Sequence, residues 1–225
     1  SWTSAVSGAT TNPDFTNNST GWTGADWTWA PTTETRIASG GNPTGYIQIS
    51  APKAKNILGG GYWYQAFTTT VVNPIATINF DWKNIGHQAG ATVTAYVFVD
   101  TASGAPTIGT QVWSQAITGV TFWASVANIN VSAKITTART YYLKVAYYIN
   151  NGSGNTGPYT IGFDNVQLNW SKAGSCSGTP TACTTFISSP TCVAQSGCAW
   201  NNVAVYPTDS PAIYPNISLE PVGVT

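Results

Sequence analysis

The chain has 225 residues, enough to bury a core in one large domain and leave an appendage. Eight Lys and Arg balance eight Asp and Glu, and charged residues are only 7% of the total, so no electrostatic footprint for nucleic acid or an anionic membrane surface exists. Ten Trp and eleven Tyr exclude a disordered chain, and the abundant Thr, Ser, Gly and Asn leave a polar, uncharged surface with little repulsion between copies.

Met is absent, which points to a processed mature form, and no apolar run reaches the length of a membrane span. Cys176, Cys183, Cys192 and Cys198 make an even-numbered cluster that suits an oxidising compartment. The expectation is a secreted protein, extracellular or at the cell surface, with no membrane insertion and no nucleic-acid partner.

Residues 1–11 read as an N-terminal arm or a first strand, with Trp2 and Val6 as their large apolar groups. In the following NPDFTNNSTGWTGADWTW, Asn-Pro and Asn-Asn-Ser mark turns ahead of a Trp-rich strand. Trp22, Trp27 and Trp29 there either stack on sugar rings or pack in a sandwich. ETRIA and GYIQIS are two short strands joined by a Gly-rich loop.

Between Gly59 and Thr70, Trp63, Gln65 and Phe67 alternate with Tyr62, Tyr64 and Ala66, so this strand is central or lines a binding face. From Ile75 to Ile85, Ile78, Phe80 and Trp82 point inward, and Thr77, Asn79, Asp81 and Lys83 outward. Thr92 to Asp100 sets Val93, Ala95, Val97 and Val99 against Thr94, Tyr96, Phe98 and Asp100, and the second set has the make-up of a ligand face. Asp81 and Asp100 read as single surface acids. Strands are expected over Thr107 to Ala116 and Gly119 to Ile129, then over Arg139 to Asn150, where Tyr141, Leu143, Val145 and Tyr147 oppose Tyr142, Lys144, Ala146 and Tyr148. This spacing of short strands, without helical periodicity, predicts an all-β sandwich.

The stretch GPYTIGFDNVQLNW closes the domain. Tyr159, Ile161 and Phe163 share one parity while Val166, Leu168 and Trp170 share the other. An extra residue at Asp164-Asn165, a β-bulge, must re-phase the strand if both halves are to face one core. The carboxylate in that bulge is either a hydrogen-bonded anchor or part of a cation site.

NPDFTNNSTGW with its Trp-rich strand, YWYQAFTTT, INFDWKN and YTIGFDNVQL together resemble the jelly-roll carbohydrate-binding modules of secreted polysaccharide-degrading enzymes, over about Asn12 to Trp170. The resemblance implies a jelly-roll β-sandwich across residues 12–171. It also implies polysaccharide as a partner, met by aromatics such as Trp22, Trp27, Tyr62, Tyr64 and Tyr96, and a structural calcium at Asp14 and Asp164. Thr16 stands where that family often has a further carboxylate, and calcium takes six to eight oxygens. No other cofactor is required.

Residues 172–202 turn to Gly, Ser, Thr and Pro around the four cysteines, whose three possible pairings the spacing does not separate. Closely paired ligands of the kind zinc prefers are absent. The segment resembles small Cys-rich repeats ending in Gly-Cys-x-Trp, and a region this small depends on its bridges. In residues 203–225, Ile213, Ile217 and Leu219 alternate with Tyr214, Asn216, Ser218 and Glu220, with Val222 beyond, while four prolines keep this extended tail from being a central strand.

His87 is a lone loop histidine, and no catalytic motif occurs, so an enzyme is not expected. Sequons at Asn18, Asn130, Asn151, Asn169 and Asn216 permit glycosylation. Two functions of different class follow. The favoured one is a structural subunit of an extracellular filament, a homopolymer linked by the tail from Ser210 to Val224 as a strand added to the neighbouring copy. The alternative is a secreted carbohydrate-binding protein that stacks Trp and Tyr on polysaccharide.

Overall fold

The computed structural model describes residues 2–3, 5–28, 31–172 and 175–176. The chain divides into two compact units, of which Ser7–Lys172 is the larger. The described part of the other includes a short antiparallel pair, β1 (Trp2–Thr3) with β13 (Ser175–Cys176), in which Trp2 is in register with Cys176.

The larger unit is an antiparallel β-sandwich. Its strands are β2 (Val6–Ala9), β3 (Thr23–Trp27), β4 (Thr33–Ile37), β5 (Tyr46–Ala51), β6 (Leu58–Thr68), β7 (Ile75–Gly86), β8 (Thr92–Asp100), β9 (Gln111–Ile117), β10 (Ala124–Asn130), β11 (Thr140–Asn150) and β12 (Tyr159–Lys172). One sheet has the order β10-β7-β12-β5-β4 with β2 also paired to β12; the other has the order β3-β6-β11-β8-β9. The expected jelly-roll class is therefore observed, and within the first segment residues 6–9 form a strand. Among the described residues no helix is long and apolar enough to cross a membrane.

Alternation sets the core. Val93, Val97, Leu143, Val145 and Tyr147 of one sheet and Ile47, Ile49, Ile78, Ile161 and Phe163 of the other are all essentially inaccessible. Each fully buried side chain of this size contributes about 1.5–3 kcal/mol.

The central strand β12 carries the bulge the sequence requires. Asp164 pairs with Asp81 and Gln167 with Asn79, so two residues of β12 oppose the single residue Phe80, and Asn165 takes a left-handed φ of 50°. The shift works as expected, because Tyr159, Ile161, Phe163, Val166 and Leu168 are all 0% exposed. Further along, the Trp170 indole lies so close to Gly8 that a Cβ there would sit 2.7 Å from its ring.

Three expectations are corrected. β9 and β10 are shorter than the alternation suggests, because residues 108–110 form a 3₁₀ turn and residues 118–123 a crossing loop. Buried Asn84 pins that loop: its Nδ2 donates to the Gly119 carbonyl at 2.8 Å, and its backbone exchanges bonds with Thr121. Finally, Asp81 and Asp100 are not surface acids; both are buried, each held by specific donors described below.

Candidate binding face

With odd-numbered residues of β8 and β11 in the core, the even-numbered ones lie on the opposite face of the five-stranded sheet. Registers assemble this face in rows. Ala25, Tyr62, Ala146, Tyr96 and Ser114 form one row, and Thr23, Tyr64, Lys144 and Phe98 form the next. Trp27, Gly60, Tyr148, Thr94 and Ala116 flank the first row, and Ala66, Tyr142 and Asp100 flank the second. Seven aromatic side chains from four strands thus share one surface.

Small residues shape it. Ala146 packs with the Trp27 indole, which meets Tyr148, Tyr96 and Phe98 edge-on at 5.1, 5.5 and 5.5 Å, and Gly60 lets β6 approach the Tyr147 backbone, where a Cβ would collide with its carbonyl oxygen. Such edge-to-face pairs add about 0.5–1.5 kcal/mol each beyond area burial. Trp27, Tyr62 and Phe98 are buried and make a floor; Tyr64, Tyr96, Tyr142 and Tyr148 are half-buried and make a rim.

An ion pair sits inside this aromatic surface. Lys144 Nζ lies 2.7 Å from Asp100 Oδ2, with the two side chains 1% and 6% exposed. The ammonium also donates to the Gly104 carbonyl at 2.5 Å and lies 5.6 Å from the Tyr62 ring centre. The Tyr62 hydroxyl donates to the Ser103 carbonyl at 3.2 Å, so residues 103 and 104 are bound to one part of the face. Burial first, then the charges around it, raises the Tyr62 phenol above its ordinary range and keeps it a neutral donor.

Four of the five aromatics expected to meet sugar, Trp27, Tyr62, Tyr64 and Tyr96, are brought together here. Trp22 is not among them. It is buried edge-on against Phe15 at 5.4 Å, and its indole N–H donates to the Thr11 carbonyl at 3.3 Å. Phe98, Tyr142, Tyr148 and the Lys144–Asp100 pair complete the face. Their parity was visible in the sequence, but the neighbour relations of β6, β8 and β11 were not.

A second polar cluster surrounds the bulge. Asp164 accepts from the backbone N–H of Asn42 at 2.5 Å and of Asn165 at 2.8 Å, while Asp81 accepts from the side-chain amides of Asn42 at 3.1 Å and Asn165 at 2.6 Å. Burial pushes the Asp164 carboxyl up to about 6; the two backbone donors act against that rise, and the charges of Asp81 and Asp14 add to it. Asp14 itself is exposed and accepts from Thr16 N–H at 3.4 Å. Among the described residues no group of three or more His, Cys, Asp or Glu converges as a metal site. Each Asp164 oxygen thus accepts one backbone N–H. These bonds make a hydrogen-bonded anchor between β12, β7 and the loop before β5.

Of the sequon asparagines, Asn18 and Asn130 are exposed, Asn169 is half-buried and Asn151 is 2% exposed. Asn216, the tail residues Ile213, Tyr214, Ile217, Leu219 and Val222, and Cys183, Cys192 and Cys198 lie outside the described residues, as do all four cysteine side chains.

No family model and no curated protein matches the chain. Solved structures similar to it include a family 11 carbohydrate-binding module from Clostridium thermocellum in complex with a mixed-linked tetrasaccharide. That match has 16% identity over 69% of this chain and 92% of the other, with a TM-score of 0.40. The module TmCBM61 in complex with beta-1,4-galactotriose matches at 12% identity over 71% and 95%, with a TM-score of 0.39. A cleaved adhesin domain of Lys-gingipain from Porphyromonas gingivalis matches at 14% identity over 76% and 98%, with a TM-score of 0.46. The fold assignment rests on the sheet order and registers of this chain.

Proposed function

We propose that this chain binds polysaccharide on the aromatic face of its five-stranded sheet. The observation that carries the reading is the gathering of seven aromatic side chains from four strands on the face turned away from the core. Pyranose rings present apolar C–H faces, and the half-buried Tyr64, Tyr96, Tyr142 and Tyr148 offer ring surface fixed by neighbours, so little side-chain freedom is lost on binding. Thr94, Ser114 and Thr23 supply uncharged hydrogen-bonding groups beside them.

We read the face as a binding surface. Hydrolysis uses two carboxyl groups flanking the bond, and Asp100, the carboxylate in these rows, is consumed by Lys144. Affinity electrophoresis through gels containing soluble plant and microbial polysaccharides tests the reading: retardation that Tyr64→Ala and Tyr148→Ala each weaken supports it, and free migration in every gel refutes it.

A second reading, self-association, is favoured by the edge of the same sheet. β9 has no charge, no proline and no left-handed residue, whereas β3 carries Asp26, β4 carries Glu34 and Arg36, and β10 is broken by a bulge at Asn128. Among the described residues nothing pairs with the outer side of β9, and an edge of this kind accepts an added strand. In sequence, Pro207, Pro211, Pro215 and Pro221 all occupy odd positions. In an extended segment their missing N–H groups would fall on one side, and the even-numbered residues could pair with an edge such as β9 in a second copy. Light scattering of the full chain against Gln115→Lys tests this, since a charge on β9 should abolish any assembly made through it.

A further inference from the structure

We propose that, among the described residues, Asn18 and Asn130 are Asn-linked glycan acceptors, and that Asn151 and Asn169 are not. All four satisfy the Asn-x-Ser/Thr pattern, so the pattern alone does not separate them. Their surroundings do.

At Asn18 and Asn130 the side chain is exposed and its oxygen is engaged, while its nitrogen donates to no group among the described residues. The Asn18 Oδ1 accepts from Thr20 N–H at 2.9 Å and from Asn12 Nδ2 at 3.1 Å; the Asn130 Oδ1 accepts from Ser132 N–H at 3.0 Å. At each site one bond comes from the backbone N–H of the hydroxyl residue two positions on, which folds the triplet into a turn. Among the described residues neither Nδ2 has an acceptor. Ser132 Oγ accepts from Ala76 N–H at 3.0 Å and keeps its own proton to donate. Neither residue belongs to the aromatic rows, so a glycan at either would leave the binding face open.

Asn151 differs in each respect. It is 2% exposed, its Oδ1 accepts from Ile57 N–H at 2.6 Å, and its Nδ2 donates to the carbonyls of Ala54 at 2.7 Å and Asn155 at 2.9 Å. Both N–H bonds are in use, and glycosylation removes one of them. A glycan there would orphan a carbonyl and require space that the packing lacks. Asn169 lies within β12, paired with Thr77, while Ser171 pairs with Ile75. The ladder holds this triplet extended, and Asn169 lines a groove with Gly8, Ile75 and Trp170.

The transfer forms a bond from Asn Nδ2 to C1 of an oligosaccharide carried on a lipid pyrophosphate. The C1–O bond breaks, the lipid pyrophosphate leaves with the electron pair, and the nitrogen gives up one proton to the transferase. The proposal depends on passage through a glycosylating secretory compartment and is independent of the polysaccharide reading.

The test is expression of the full chain as a secreted protein in cultured eukaryotic cells, followed by amidase release of glycans in heavy-oxygen water and peptide mass spectrometry. Labelled Asp is expected at positions 18 and 130 and at neither 151 nor 169. Asn18→Gln and Asn130→Gln should each remove one gel-mobility step while leaving the secreted yield unchanged. Label at position 151 or 169, or its absence from 18 or 130, overturns the assignment. Label at Asn17, which heads the overlapping Asn-Asn-Ser triplet, in place of Asn18 overturns it as well.

Discussion

Lys144 and Asp100 join at 2.7 Å inside an aromatic surface, where the ammonium is also held by the Gly104 carbonyl and faced by the Tyr62 ring. A buried charge left without its partner is far more costly than a missing pair. Asp100→Ala should therefore destabilise the protein by about 3–5 kcal/mol, and the double substitution Lys144→Met with Asp100→Leu should cost markedly less. Urea unfolding of the two variants checks the order. Equal losses would show that the pair is not electrostatically isolated from water.

The aromatic face separates binding from folding. Tyr64→Ala and Tyr148→Ala remove half-buried rim rings and should weaken polysaccharide affinity about tenfold, which is about 1.4 kcal/mol, with a smaller effect on the Tm. Trp22→Ala empties a buried site against Phe15 and should cost about 3–5 kcal/mol of stability, with the affinity of the folded fraction unchanged. Calorimetric titration beside thermal unfolding of the same variants distinguishes the two outcomes.

Asp164 makes stability depend on pH. Its folded value of about 6 lies above the ordinary 3.8, so folding disfavours its ionised form. The associated stability is fully present below about pH 4 and is lost as pH rises through 6, an effect on the order of 2 kcal/mol. Asp164→Asn removes the titrating carboxyl and should flatten the slope between pH 4 and 6. A slope that survives the substitution would assign the titration to another group.

For the same anchor, calcium should not raise the Tm, since each Asp164 oxygen already accepts a backbone N–H. A calcium-dependent rise abolished by Asp164→Asn would restore the metal implied by the resemblance. Thermal unfolding with chelator and with added calcium decides between them.

Period-2 alternation made the sandwich legible, and the parity break at Asp164 revealed the bulge, because the need to bury Val166, Leu168 and Trp170 on one side is written in their spacing. Four of the face aromatics were named through the resemblance, while the alternation alone left open whether Trp27, Tyr62 and Tyr64 point into the core or away from it. Trp22 was not separable from Trp27 by composition; the difference is that Trp27 pairs into β3 opposite Gly60, whereas Trp22 precedes the strand and packs on Phe15. The burial of Asp100 was hidden because its partner Lys144 is 44 residues away, on a strand that only the sheet order places beside it. Asp81 was hidden in the same way, since its donors come from Asn42 and Asn165.

The most direct test of the central claim is titration of soluble polysaccharides into the native chain while the fluorescence of its tryptophans and tyrosines is followed, with Tyr64→Ala/Tyr148→Ala as the comparison. Saturable change with at least one polysaccharide, lost in the double variant while its thermal unfolding remains cooperative, is the predicted result. Saturable binding of equal strength in wild type and variant would place the sugar elsewhere and contradict the assignment of the five-stranded face.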